Sequence, residues 1–252
     1  MTFKHVTTFL FVAITIHFVS AAETGKPQID VAAAANLTGV ARELGAAFEA
    51  ETGIHPIFSF GSTALLTQQI ENGAPFDVFL AADAQHMQEL DRKGLLVAGS
   101  RAAYANGVLA LWMPSPGTAV NRIQDLVLPG IRVIAVANPK LAPYGEATIE
   151  ALRNAGILER VRSKIVYSDN ISMAKQYGAT GNADAVFTAY SLVLKESGKV
   201  IQVSGKLHRP ITQELGVIAA SPRKTDAGKF ASFVLHGKGR AVLSSFGYRP
   251  PS

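Results

Sequence analysis

Apolar runs alternate with segments of helical period along most of the chain. Ile29 to Ala34 is a short apolar run, after which Leu37, Val40, Ala41, Leu44 and Phe48 recur at helical spacing until Thr52-Gly53 stops them. Ile57 to Phe60 predicts a second strand, followed by Gly61-Ser62-Thr63 and a helix from Ala64 to Glu71 that ends at Asn72-Gly73. Val78 to Ala82 predicts a third, with Asp83 placed to cap a helix carrying Met87, Leu90 and Leu95. Three strand–helix units in succession point to a parallel α/β sheet with right-handed crossovers. A second series begins at Val108 to Trp112. It continues with Val133 to Val136, a helix from about Glu146 to Ala155, Ile165 to Tyr167, a helix from Ile171, then Ala185 to Phe187 and Val200 to Val203. Leu215 to Ala220 is a late, isolated strand, and Thr225 to Phe246 is helical, with Phe230, Phe233, Val234 and Val242 as buried candidates. A chain that leaves for a second lobe and returns explains the late strand, and gives two crossovers and a hinge. The expected division is residues 23–105 with 221–252 as lobe I and 106–220 as lobe II.

The first 22 residues follow a different pattern. Lys4 and His5 precede an apolar stretch from Phe9 to Val19 that ends in Val19-Ser20-Ala21-Ala22, the form of a cleaved secretory signal peptide. Thr15 and His17 interrupt the stretch, and it falls short of the roughly 20 residues that span a bilayer. Cleavage after Ala21 or Ala22 would leave about 230 residues in a periplasm, a length that suits two lobes of about 100. There is no cysteine, so disulfides, thiolate metal ligands, a cysteine nucleophile and a lipoprotein anchor are all excluded. The chain has 24 Lys and Arg against 19 Asp and Glu. No basic run exceeds the pair Arg223-Lys224, so the charge reads as solvated surface and not as a nucleic-acid stripe.

Candidate chemistry is sparse. The histidines at 5, 17, 55, 86, 208 and 236 form no metal-spaced pair. A nucleophile elbow, a P-loop and a dinucleotide fingerprint are all missing, which argues against an enzyme. What recurs is an uncharged donor wherever a strand gives way to a helix. Asn36 follows the first strand, Ser62-Thr63 the second, Tyr144-Gly145 precede the helix after Val136, and Asn170-Ile171 the one after Tyr167. Helix N-termini present unpaired N–H groups and a positive dipole end, so several converging on one cleft form an anion site without Lys or Arg. Each residue taken alone is equally an ordinary cap, and Pro143-Tyr144-Gly145 an ordinary turn. Periodicity therefore leaves a two-lobed binder and an unassigned α/β protein both open.

The segments Ala32-Ala33-Ala34-Ala35-Asn36-Leu37-Thr38, Phe60-Gly61-Ser62-Thr63 and Gln69 to Asp83, which includes Gly73-Ala74-Pro75-Phe76-Asp77-Val78-Phe79, resemble the periplasmic molybdate-binding proteins of ABC transporters. The likeness continues through Ala137-Asn138-Pro139 and Pro143-Tyr144-Gly145 to Phe246-Gly247-Tyr248. It implies a two-lobed type II periplasmic-binding-protein fold, a monomer that closes on molybdate or tungstate in the interlobe cleft and delivers it to an inner-membrane permease, with no cofactor. Carried over by position, it makes Asn36 and Thr63 oxyanion donors, with Ala35 and Ser62 in the same loops, and Tyr144 and Ile171 second-lobe contacts, Ile171 through its backbone N–H. These residues would meet the oxyanion's oxygens, with no direct ligation of the metal. Many members have Ser at the position of Asn36 and a tyrosine where this chain has Thr188 after the strand ending near Phe187. Others pair Asn with Tyr, as here, and Ala35 stands where some of those have a hydroxyl. Two rival readings remain: a receptor for sulfate, phosphate or an iron complex on the same fold, and an extracytoplasmic enzyme using Asp77 or Asp83.

Overall fold

In the computed structural model the described residues are 26–251, so the signal segment 1–22 lies outside them. The strands are β1 (Gln28–Ala34), β2 (His55–Gly61), β3 (Val78–Leu80), β4 (Ala102–Gly107), β5 (Leu109–Met113), β6 (Ile134–Ala137), β7 (Ile165–Ser168), β8 (Ala185–Ala189), β9 (Lys199–Gln202) and β10 (Ile211–Val217). The helices are α1 (Ala41–Thr52), α2 (Thr63–Glu71), α3 (Gln85–Arg92), α4 (Pro143–Asn154), α5 (Leu158–Val161), α6 (Ile171–Ala179), α7 (Tyr190–Val193), α8 (Lys224–Leu235) and α9 (Gly237–Ser245). No helix among the described residues is long and apolar enough to cross a membrane.

Two five-stranded sheets share one plan. The first has the order β2-β1-β3-β10-β4, the second β7-β6-β8-β5-β9. In each, three parallel strands are followed by an antiparallel fourth that has crossed from the other lobe. The sheets are thus mixed, where the strand–helix repeat had predicted parallel ones. The physical reason is the crossovers: a strand entering directly from the opposite lobe has no helix to reverse it and adds in the antiparallel sense. The chain passes between sheets at Val108 and again between Gln202 and Ile211.

The strand Ile211–Val217, grouped by sequence with the second lobe, pairs with β3 and β4 of the first. It begins four residues before the expected Leu215. Two of its polar residues are paired: Arg101 Nε donates to Glu214 Oε2 at 2.6 Å, and Gln213 is held by three side chains. The strand β8 likewise runs on past Phe187. Thr188 and Ala189 pair with Ala110 and Leu109, so Thr188 lies inside the strand rather than after it.

Alternation along the strands fills both faces of each sheet. Ile29, Val31 and Ala33 pack with Phe48, Phe230 and Val234 on one face of the first sheet, while Ala32 and Phe79 meet Leu66, Met87 and Leu90 on the other. Phe48 sits edge-on to Phe230 with centroids 5.0 Å apart. Packing on both faces leaves only the strands' carboxyl ends free to face the opposite lobe.

Candidate functional site

Four connections leave the carboxyl ends of parallel strands and meet at the lobe interface: β1 into a single 3-10 turn (Ala35–Leu37), β2 into α2, β6 toward α4, and β7 into α6. Ala35, Asn36, Ser62, Thr63, Tyr144 and Ile171 all border one small cavity there. Its atoms leave about 200 Å³ of space, part of it open to solvent. All six residues are at most 3% exposed. Ala34, Gly61, Ala82, Ala142, Pro143 and Asn170 complete the wall, so no charged side chain borders the cavity. The lobes touch beside it: Ala64 N–H donates to the Leu141 carbonyl at 3.2 Å, and Ser191 Oγ to the Asn36 carbonyl at 3.1 Å.

The hydroxyls share one feature. Thr63 Oγ1 accepts the Ala82 backbone N–H at 3.1 Å, and the Tyr144 hydroxyl accepts Gln213 Nε2 at 3.0 Å. A nitrogen donor can only give, so each oxygen is held as an acceptor and its own proton stays uncommitted. Ser62 occupies the N-cap of α2, yet its Oγ caps nothing and has no partner although buried. All three residues border the cavity, and none of the three hydroxyls donates to an acceptor among the described residues. Tyr144 cannot lose its proton at neutral pH, because burial pushes its pKa well above the usual tyrosine range.

Asn36 behaves differently. Its Nδ2 donates to Gln213 Oε1 at 2.9 Å and to the Tyr248 hydroxyl at 3.0 Å, which uses both amide hydrogens inside the lobes. Oδ1 is buried without a partner. In this arrangement the Asn36 side chain has no donor left for a ligand, and only its backbone N–H could serve.

The helix ends add backbone donors. Pro143 occupies the first position of α4, where its missing N–H costs nothing, and Tyr144 follows. Gly145 is required there, because a Cβ would collide with the Ala137 carbonyl as the helix starts against the end of β6. At α6, Asn170 Oδ1 accepts Met173 N–H at 3.0 Å, an ordinary cap that leaves the Ile171 N–H of the first turn unspent.

Other candidates fall away. A larger groove nearby, about 690 Å³ on the same measure, is lined by Asp83, Glu146, Glu150 and Arg209 among others, and its carboxylates oppose an anion. Asp77, wholly buried, accepts Asp30 N–H at 2.6 Å, Ser221 Oγ at 2.6 Å and Arg223 Nε at 2.9 Å, which gives it a structural part. Asp83 accepts His86 N–H at 2.9 Å and so caps the first turn of α3. Thr188 is buried with an unpartnered hydroxyl but does not border the cavity. Among the described residues no cluster of His, Asp or Glu could hold a metal ion.

Residues behind the cavity were not legible as site residues. Gln213, Tyr104, Tyr248 and Ser191 form a buried polar layer linking β10, β4, the carboxyl-terminal segment and α7. The available signal was Gln213 itself, a polar residue at the same strand face as Ile211 and Leu215.

Comparison with known proteins agrees with this architecture. Residues 29–249 match the family described as bacterial extracellular solute-binding protein. The molybdate-binding protein ModA of Azotobacter vinelandii is 37% identical over 225 residues, covering 88% of this chain and 89% of that protein. The ModA of Rhodobacter capsulatus is 35% identical, with 88% of each chain covered. The structure of the periplasmic molybdate-binding protein of A. vinelandii superposes with a TM-score of 0.86 at 32% identity, covering 89% of this chain and 100% of that one. A sulfate-binding protein of Mycobacterium tuberculosis shares the fold at a TM-score of 0.76 and 16% identity. With its two lobes of mixed α/β sheet, two crossovers and an interlobe cavity, the chain belongs to the bacterial extracellular solute-binding proteins, a family of transport receptors and not of enzymes, and has the type II periplasmic-binding-protein fold.

Proposed function

We propose that this protein binds molybdate, and tungstate equally well, between its lobes and delivers it to an ABC permease. The observation that carries the reading is a cavity that no charged side chain borders, lined by the buried hydroxyl residues Ser62 and Thr63 and by the helix starts at Tyr144 and Ile171. Such a wall is a donor with nothing to donate to. A tetrahedral dianion supplies the missing acceptors, and hydrogen bonds to a charged group contribute about 1.5–3 kcal/mol each. The backbone N–H groups of Ile171, Ala35 and Asn36 would add to the ring.

Selectivity follows from burial. A dianion taken out of water is stabilised only if nearly all its oxygens are satisfied. Donors fixed on two packed lobes at the spacing of metal–oxygen bonds cannot all reach the shorter-bonded oxygens of sulfate. Molybdate and tungstate, nearly equal in size, would be held alike. Because donors come from both lobes, the closed form alone uses them all, and a ligand with that differential affinity shifts the open–closed equilibrium toward the face a permease would recognise.

Isothermal titration of residues 23–252 with molybdate and tungstate tests this. Both should bind with a Kd below about 1 μM, or about −8.2 kcal/mol. Sulfate binding tightly while molybdate does not would replace the proposal with another oxyanion receptor on the same fold.

A further inference from the structure

Helix α7 of the second lobe sits on the loop between β1 and α1 of the first. It follows β8, and its Leu192 and Val193 pack into the core of the second lobe, whereas Leu37 and Val40 anchor the loop in the core of the first. Ser191 Oγ donates to the Asn36 carbonyl at 3.1 Å. The Tyr248 hydroxyl donates to the same carbonyl at 2.8 Å from within the first lobe, so the pairing of the loop does not depend on Ser191. Three residues on, Gly39 is exposed and lacks the positive φ that calls for glycine. A Cβ on it would lie 3.2 Å from the Ser191 carbonyl oxygen and 3.6 Å from Leu192 Cδ2, and apart from its chain neighbours it would meet no atom of its own lobe within 4 Å. The side chain missing at position 39 thus leaves room for the opposite lobe and for nothing in its own.

We propose that Gly39 and Ser191 are positioning residues that set how far the lobes close: the bare Cα at 39 lets α7 seat, and the Ser191 hydroxyl holds it there through the Asn36 carbonyl. Neither residue borders the cavity, so neither acts on a ligand by contact. Both act through the turn Ala35–Leu37, whose Ala35 and Asn36 do border it. Parting the lobes breaks this contact, so it stabilises the closed form alone. Apparent affinity falls with the fraction of molecules able to close, and loosening the seat raises Kd while the donors stay in place. The inference rests on the reading that an oxyanion closes the lobes around itself.

Gly39→Ala, Gly39→Val and Ser191→Ala test it. Molybdate should bind Gly39→Ala and Ser191→Ala at least threefold more weakly than the native protein, and Gly39→Val, whose branched side chain presses further on the Ser191 carbonyl, at least tenfold more weakly. The unliganded melting temperature of Gly39→Ala should stay the same or rise, because the methyl meets nothing in its own lobe and removes freedom from the unfolded chain. The second readout is the distance between lobes. The chain has no cysteine, so Gln68→Cys on α2 and Gln176→Cys on α6, both exposed, take spin labels at those two positions alone. Molybdate should shorten the distance between the labels, and at its own saturating molybdate Gly39→Val should keep a longer distance than the native protein.

Native affinity in Gly39→Val or in Ser191→Ala would overturn the proposal. So would weaker binding by Gly39→Val with the native label distance at saturation, because the substitution would then act on the site and not on closure. A lower unliganded melting temperature in Gly39→Ala would also overturn it, since residue 39 would then serve its own loop. If Gly39→Val does not fold, Gly39→Ala carries the distance measurement. A native protein that binds no molybdate would refute the oxyanion reading instead. The seat is then judged on the unliganded proteins, where the native chain should show more of the short distances than Gly39→Val, and identical distributions would overturn this proposal as well.

Discussion

Ser62 holds the N-cap position of α2 without capping it, and its buried hydroxyl has no partner. An unsatisfied buried hydroxyl costs about 1–3 kcal/mol, a penalty that a bound anion removes. Ser62→Ala should therefore weaken molybdate binding about tenfold or more while the unliganded melting temperature stays the same or rises. A fall in that temperature would show that Ser62 serves the fold. Thr63→Ala should behave differently, because it also leaves the Ala82 N–H without an acceptor. Calorimetry should show both weaker binding and an unliganded melting temperature lower by roughly 2–12 °C, at about 1–3 kcal/mol for the lost partner and about 2–4 °C per kcal/mol for this size. Ser62, Thr63 and Tyr144 were legible because uncharged donors recur at strand-to-helix junctions in both halves. Gln213 was not, since its partners Asn36, Tyr104 and Tyr144 are 177, 109 and 69 residues away and only folding brings them together. The internal commitment of the Asn36 amide was hidden for the same reason.

At the scale of elements, the helix ends supply what side chains do not. Ile171 opens α6, and the extended conformation of Asn170 before it, φ −150° and ψ 171°, is compatible with proline at position 171. Ile171→Pro should remove one backbone donor and keep the helix. Set against Ile171→Ala, which loses the same buried side chain but keeps the N–H, it should bind molybdate at least tenfold more weakly with similar helical circular dichroism. Equal affinities would mean that this N–H does not reach the ligand. Most elements were readable from period and stop signals, and their limits shifted by a few residues. The strand β4 was missed because Ala102, Ala103, Ala105, Asn106 and Gly107 carry little hydrophobic pattern, and Tyr104 alone is a large buried residue there. It forms because β10 supplies an antiparallel partner, which sequence-local pattern does not show.

For the whole molecule, the same two-lobed plan that buries the site decides how it responds to pH and ligand. Tyr104, Tyr144 and Tyr248 are held protonated by burial, with pKa values raised above the ordinary range. In the unfolded chain they would ionise near 10. The stability this provides is complete below about pH 10 and is lost as pH rises beyond it, toward the folded-state pKa values. Molybdate affinity should accordingly be level from pH 6.5 to 9.5, and a steady decline across that window in titrations would mean that a ring hydroxyl ionises. The basic balance of the chain contributes little to recognition, because the cavity wall is neutral and its donors are hydroxyls and helix ends.

The central claim is that the neutral interlobe cavity is a receptor for a molybdate-sized dianion, and thermal unfolding of residues 23–252 with molybdate, tungstate, sulfate and phosphate side by side tests it most directly. At 100-fold excess over Kd a ligand adds about 2.7 kcal/mol. Molybdate and tungstate should each raise the melting temperature by roughly 5–11 °C at that excess, and sulfate and phosphate at equal concentration by far less. No rise with molybdate beside a clear rise with sulfate or phosphate would contradict the account.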